Sequence, residues 1–143
     1  MSTPPRWNLQ DLFQGIDDPL IDVALAEAKD EAVSLAVMYK GRLAELSPQE
    51  LCDVLARYER IIQLADKPEN FAFLSHSANM EDARLEGFYS AIRERVLAIE
   101  QELVWVKSEL GALGEERFQK LFESGEIARY RYAIEALREK RRY

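Results

Sequence analysis

The sequence predicts an all-α protein, an antiparallel helical bundle, on three observations. Within residues 82–113, Leu85, Tyr89, Ile92, Val96, Ile99, Leu103, Val106, Leu110 and Leu113 follow one another at alternating steps of four and three. That is the 3.5-residue repeat of an apolar helix seam. A second run, Ile21, Leu25, Ala28, Ala32, Leu35 and Tyr39, keeps the same rhythm. No stretch alternates apolar and polar residues over strand length with β-branched enrichment, so no sheet is expected. A seam helix of roughly 48 Å, at about 1.5 Å per residue, cannot bury its own stripe. The rest of the chain must supply its partners.

Taken in order, residues 1–18 read as an irregular strap and residues 19–143 as one helical domain. Pro4-Pro5 forbids a regular helix start, and Gly15-Ile16-Asp17-Asp18-Pro19 is turn chemistry. Between them Trp7, Leu9, Leu12 and Phe13 are large apolar anchors, expected to dock on the helical body. The first long helix is expected over about 19–44, with Pro19 in its first turn and its end weakened by Gly41. Ser47-Pro48-Gln49-Glu50 is a capping box with proline at the first position, opening a helix over about 48–65. Asp66-Lys67-Pro68-Glu69 repeats that logic and predicts a break, then a short helix near 68–78 carrying Phe71 and Phe73. Asn79 is the expected cap of the longest and most central helix, over about 82–113, with Asp82 in its first turn. Gly111 and Gly114 bracket its end. A short helix near 115–123 and a last one over about 126–140, with Ile127, Tyr130, Ile134 and Leu137 on one side, complete the chain.

At 143 residues, 48% apolar and 31% charged, the composition is that of a soluble globular domain. A net charge of −7 and a pI near 4.9 argue against nucleic acid as a partner. The basic cluster Arg138, Lys140, Arg141 and Arg142 suits the dipole of a last helical turn. One cysteine, Cys52, excludes an internal disulfide and fits a reducing compartment. No apolar run approaches a membrane span and the N-terminus has no apolar signal core. The expected location is cytoplasmic, with no membrane partner.

The chemistry-bearing residues are few. His76 is the only histidine. A catalytic zinc site usually takes two histidines among its three protein ligands, and a carboxylate-bridged di-iron site also wants two. A serine or cysteine nucleophile needs a histidine base held at a distance in the fold; Ser75 is its immediate neighbour and Cys52 lies beside the apolar stripe of its helix. His76 is therefore read as packed on or near an apolar face. The six glycines form no phosphate-cradling loop. Glu86, Glu94, Glu100, Glu102 and Glu109 read as a solvated face with i,i+4 partners. Trp105 lies off the seam, either on a widened buried face with Ala91 and Ala98 or as an exposed contact, and burial is the favoured reading. No catalytic, metal or cofactor-binding residue is expected in this chain.

Trp7-Asn8-Leu9-Gln10-Asp11-Leu12-Phe13, followed by Gly15-Ile16-Asp17-Asp18-Pro19, resembles the opening of the oligoendopeptidase F family of zinc metallopeptidases. The resemblance continues through Tyr39-Lys40-Gly41-Arg42-Leu43, Asn70-Phe71-Ala72, Ser77-Ala78-Asn79 and Arg93-Glu94-Arg95-Val96. It reaches Glu100-Gln101-Glu102-Leu103 and Tyr130-Arg131-Tyr132, nearly the whole chain. Asn8 departs from the acid usual in the family, and His76 from a position more often apolar or aromatic. The family's catalytic machinery, a His-Glu-x-x-His helix and a later glutamate on zinc, has no counterpart here.

What the resemblance implies is a non-catalytic N-terminal helical region forming one wall of a deep peptide cleft. Zinc and peptide substrate then belong to the full-length context. The alternative is a free-standing interaction protein that self-associates or binds a partner helix. Either reading leaves apolar surface to be covered, by the catalytic half or by a second copy. The expected contact residues are Phe71 and Phe73 of the short aromatic helix and Tyr130, Tyr132 and Ile134 of the last helix.

Overall fold

The computed structural model describes residues 12–114, 116, 119 and 120. Three long helices account for most of them: α1, Pro19–Tyr39; α2, Pro48–Ala78; and α3, Ala83–Gly111. Each packs against the other two, and no strand occurs among the described residues. The expected helices at about 115–123 and 126–140, with Tyr130, Tyr132 and Ile134, lie outside the described residues.

Local chemistry sets where each helix begins. Asp18 caps α1, its carboxylate accepting from the backbone N–H of Leu20 at 2.9 Å and, through its other oxygen, from Gln14 at 2.9 Å. These two backbone donors hold its pKa below the usual 3.8. Ser47 and Glu50 form the reciprocal capping box of α2, with both bonds at 3.1 Å. Asp82, not Asn79, caps α3, accepting from Arg84 N–H at 2.9 Å. Asn79 instead closes α2, donating its backbone N–H to the His76 carbonyl.

Two boundaries differ from the sequence expectation. Helix α1 stops at Tyr39 rather than near 44, because Gly41 takes φ +85°, a left-handed geometry glycine adopts without a Cβ clash. A single 3-10 turn, Leu43–Glu45, then leads to Ser47, and Leu43 and Leu46 drop into the core. The break expected at Asp66 does not occur: α2 runs unbroken through Pro68. A mid-helix proline leaves the Leu64 carbonyl without its donor and costs roughly 3 kcal/mol. Packing overrides it, because Ile61, Ala65, Pro68, Ala72 and Ser75 form one buried line of alternating four and three steps through the proline. At 31 residues against 29, α2 rather than α3 is the longest helix.

Cross-helix ion pairs report the directions. Arg60 meets Glu27 at 2.6 Å and Arg57 meets Glu31 at 3.8 Å, so α1 and α2 run antiparallel. Glu69 pairs with Arg93 and, further along α2, His76 stacks on Tyr89, earlier in α3, so α2 and α3 do too. Asp22–Arg95 at 2.6 Å and Lys29–Glu102 at 3.3 Å both span 73 residues, so α1 and α3 are parallel and in a constant register. The described residues form an up–down–up three-helix bundle. Exposed pairs of this kind contribute about 0–1 kcal/mol each; burial supplies the stability. The core interleaves Ile21, Leu25, Ala28, Ala32 and Leu35 of α1 with Ile92, Val96, Ile99, Leu103, Val106 and Leu110 of α3 and the α2 line. That register places Ile92 level with Pro19, so Leu85 and Tyr89 project past the start of α1 and are only partly buried. Phe13 and Ile16, ahead of α1, pack against the core at that end.

Candidate functional site

The densest grouping of chemically distinctive side chains lies where the second half of α2 meets the first half of α3. Phe71 is 3% exposed, its ring edge-on to Phe13 at 5.3 Å and to Phe88 at 6.2 Å. Such pairings are worth about 0.5–1.5 kcal/mol beyond burial. Phe71 is thus a core residue, which corrects its assignment as a contact residue: the continuous α2 turns it inward, where a separately started helix could have turned it out. Phe73 is 50% exposed and tilts against Tyr89 at 6.0 Å. Lys67 holds its ammonium 5.2 Å from the centre of the Phe13 ring, a cation–π contact over the surface side of that ring.

His76, in the last turn of α2, stacks on Tyr89 at 5.7 Å and 18°. Its Nδ1 is shielded from solvent and makes no hydrogen bond. A histidine acting as base or metal ligand needs its second nitrogen oriented by a partner; here the ring is held by stacking alone. Among the described residues no three His, Cys, Asp or Glu side chains stand close enough to hold a metal. Cys52 is half-buried on α2. Trp105 is 5% exposed and its indole N–H is buried without a hydrogen bond, so the burial reading holds.

The glutamates of α3 divide. Glu102 pairs with Lys29 across to α1. Glu109 does something the linear sequence does not show: its two carboxylate oxygens accept from the backbone N–H groups of Gly41, at 2.6 Å, and Leu43, at 3.0 Å. One side chain therefore clamps the α1–α2 turn to α3, across 68 residues of sequence. Glu69 holds Arg93 by a hydrogen bond and ion pair that favour the charged guanidinium. Tyr58, half-buried and facing the negative charge of Glu100, has its phenol pKa raised, desolvation being the larger cause.

Comparison with known proteins returns nothing: no family model, curated protein or solved structure matches the chain. Among the described residues no helix is long and apolar enough to cross a membrane.

Proposed function

We propose that this chain is a non-catalytic helical module that forms one wall of a peptide-admitting cleft, after the manner of the N-terminal region of oligoendopeptidase F-type zinc metallopeptidases. The observation that carries this reading is apolar surface on the outside of a finished core. Val37 is 81% and Val104 63% exposed, and Leu97, Met38 and Phe73 are also open. Such residues are open to a partner, and Leu97 and Val104 share one strip of α3, which supports a covered face there. The motif residues behind the resemblance support a scaffold role. Gly41 makes the turn, Phe71 fills the core, Arg93 ties α3 to α2, and Leu103 lies in the core.

The test is reconstitution. The reading frame beyond Tyr143 should continue to a His-Glu-x-x-His helix, and the catalytic part supplied separately should bind this chain. The chain alone should hydrolyse no peptide and retain no stoichiometric zinc. One zinc bound per chain, or peptide turnover by the chain alone, sinks the reading. A second reading, self-association, is favoured by Leu97 and Val104, seven residues apart on one exposed strip of α3. Sedimentation separates the two: a concentration-dependent dimer that ignores the catalytic part selects self-association.

A further inference from the structure

Beyond Pro68 the bundle thins to two helices. The constant offset of 73 residues puts Ile92 of α3 level with Pro19, the first residue of α1. No α1 residue therefore lies beside the arm made of residues 69–78 of α2, the turn 79–82 and residues 83–91 of α3. Burial falls accordingly. Every buried residue of α3 lies at or after Ile92, and α2 beyond Pro68 buries only Phe71, Ala72 and Ser75. Among the described residues, the one ion pair joining α2 to α3 is Glu69–Arg93, at the base of the arm. A segment with few buried apolar contacts opens at lower free energy than the body it extends.

Two features of the arm oppose its closed form. Pro68 offers no N–H to the Leu64 carbonyl, and Asp66-Lys67-Pro68-Glu69 is a helix-start signal that the continuous α2 leaves unused. His76 Nδ1 is shielded from solvent without a hydrogen bond, so it gains water when the arm opens. A ring from outside the arm holds it shut. Phe13, 5% exposed, stands edge-on to Phe71 at 5.3 Å, and Phe71 stands edge-on to Phe88 at 6.2 Å. The series Phe13–Phe71–Phe88 thus joins the segment before α1 to both helices of the arm. Phe13 is itself anchored by the turn that follows it, where Asp18 donates its N–H to the Gly15 carbonyl and its carboxylate accepts from Gln14 N–H.

We infer that α2 is a two-state element: residues 69–91 open as a unit about Pro68, and Phe13 is the latch that closes them. In the closed form α2 is unbroken and Phe71 is buried. In the open form α2 ends ahead of Pro68, the Asp66–Glu69 signal starts a separate helix, and Phe71 and Phe88 reach solvent. A partner that covers those two rings binds the open form alone and draws the arm toward it. The device is independent of the cleft-wall reading, because it concerns contacts within one chain.

Native-state hydrogen exchange on the full chain tests it. The amides of residues 70–90 should exchange together, on the order of tenfold or more faster than those of residues 25–35, 54–64 and 96–108. Phe13→Ala should speed the arm by a further factor on the order of tenfold, with the three core segments staying within about threefold of wild type. Pro68→Ala returns the missing donor and removes the start signal, so it should slow exchange in the arm and offset Phe13→Ala in the double variant. Arm amides as protected as the core overturn the inference. So does a Phe13→Ala chain loosened equally in every segment, or a Pro68→Ala arm that exchanges as fast as wild type or faster. If Phe13→Ala does not fold, Pro68→Ala in the otherwise native chain decides alone.

Discussion

Replacing Glu109 by glutamine tests how the first turn of the bundle is held. The carboxylate accepts two backbone N–H bonds, from Gly41 and Leu43, across the α1–α2 turn. Hydrogen bonds to a charged group contribute about 1.5–3 kcal/mol when shielded. The Gly41 bond is solvent-exposed and must be discounted, and the Leu43 bond is part-buried. Glutamine keeps the shape but offers one carbonyl oxygen, so one bond survives, as a neutral one. The expected loss is about 1–2 kcal/mol, mostly from the Leu43 side. For a chain of this length that lowers Tm by about 3–7 °C. Urea melts should show a lower midpoint at unchanged slope. The Gly41 and Leu43 amides should exchange faster, because their acceptor is weakened. A Tm within about 1 °C of wild type, with those two amides still protected, would refute the clamp.

Three further outcomes follow from the same geometry. Phe71→Ala should cost about 3–5 kcal/mol, as a large side chain is removed from the core, while Phe73→Ala should stay within about 0.5 kcal/mol; equal melting shifts would show that α2 does not turn Phe71 inward. Ile99→Asp, which puts an unpaired charge among Leu25, Val96 and Leu103, should cost several kcal/mol, and an unchanged melt would remove α3 from the core. Asp18 has a folded-state pKa below its ordinary value, so its contribution is fully present above about pH 4 and is lost as pH falls through the depressed value. Asp18→Asn should therefore be less stable than wild type at pH 6, with the gap narrowing toward pH 2.5; a gap that stays constant would mean that the charge on Asp18 is irrelevant to the cap.

Self-association and binding of a catalytic part, the two proposed contacts, would draw on the same exposed residues, so one substitution reads both. Val104→Lys on the outer side of α3 leaves the core untouched and should abolish either contact. Measured on a chain with an intact melt, it separates an interface residue from a structural one.

Much of this fold was legible one residue at a time. The 4–3 seams of α1 and α3 identified their buried residues, because a helix that hides one stripe must repeat it every 3.5 positions. The Ser47–Glu50 box marked the start of α2 correctly, since its two bonds close within four residues. Burial of Trp105 was also anticipated, although what buries an off-seam indole depends on neighbours distant in sequence.

What the sequence could not decide lay wherever local preference competed with packing. Asp66-Lys67-Pro68-Glu69 carries a sound helix-start signal, yet α2 continues through it. The local preference of about 3 kcal/mol is outweighed by a buried line running from Ile61 to Ser75. That choice of one long helix in turn rotated Phe71 into the core and left Phe73 outside. Glu109 is the sharper case. By spacing it belongs with the solvated glutamates of its helix, and only the parallel alignment of α1 and α3 brings it to the amides of Gly41 and Leu43. Periodicity along one helix determines which side is buried. Which distant backbone a side chain on its flank will meet depends on register between helices, and that exists only once all three have packed.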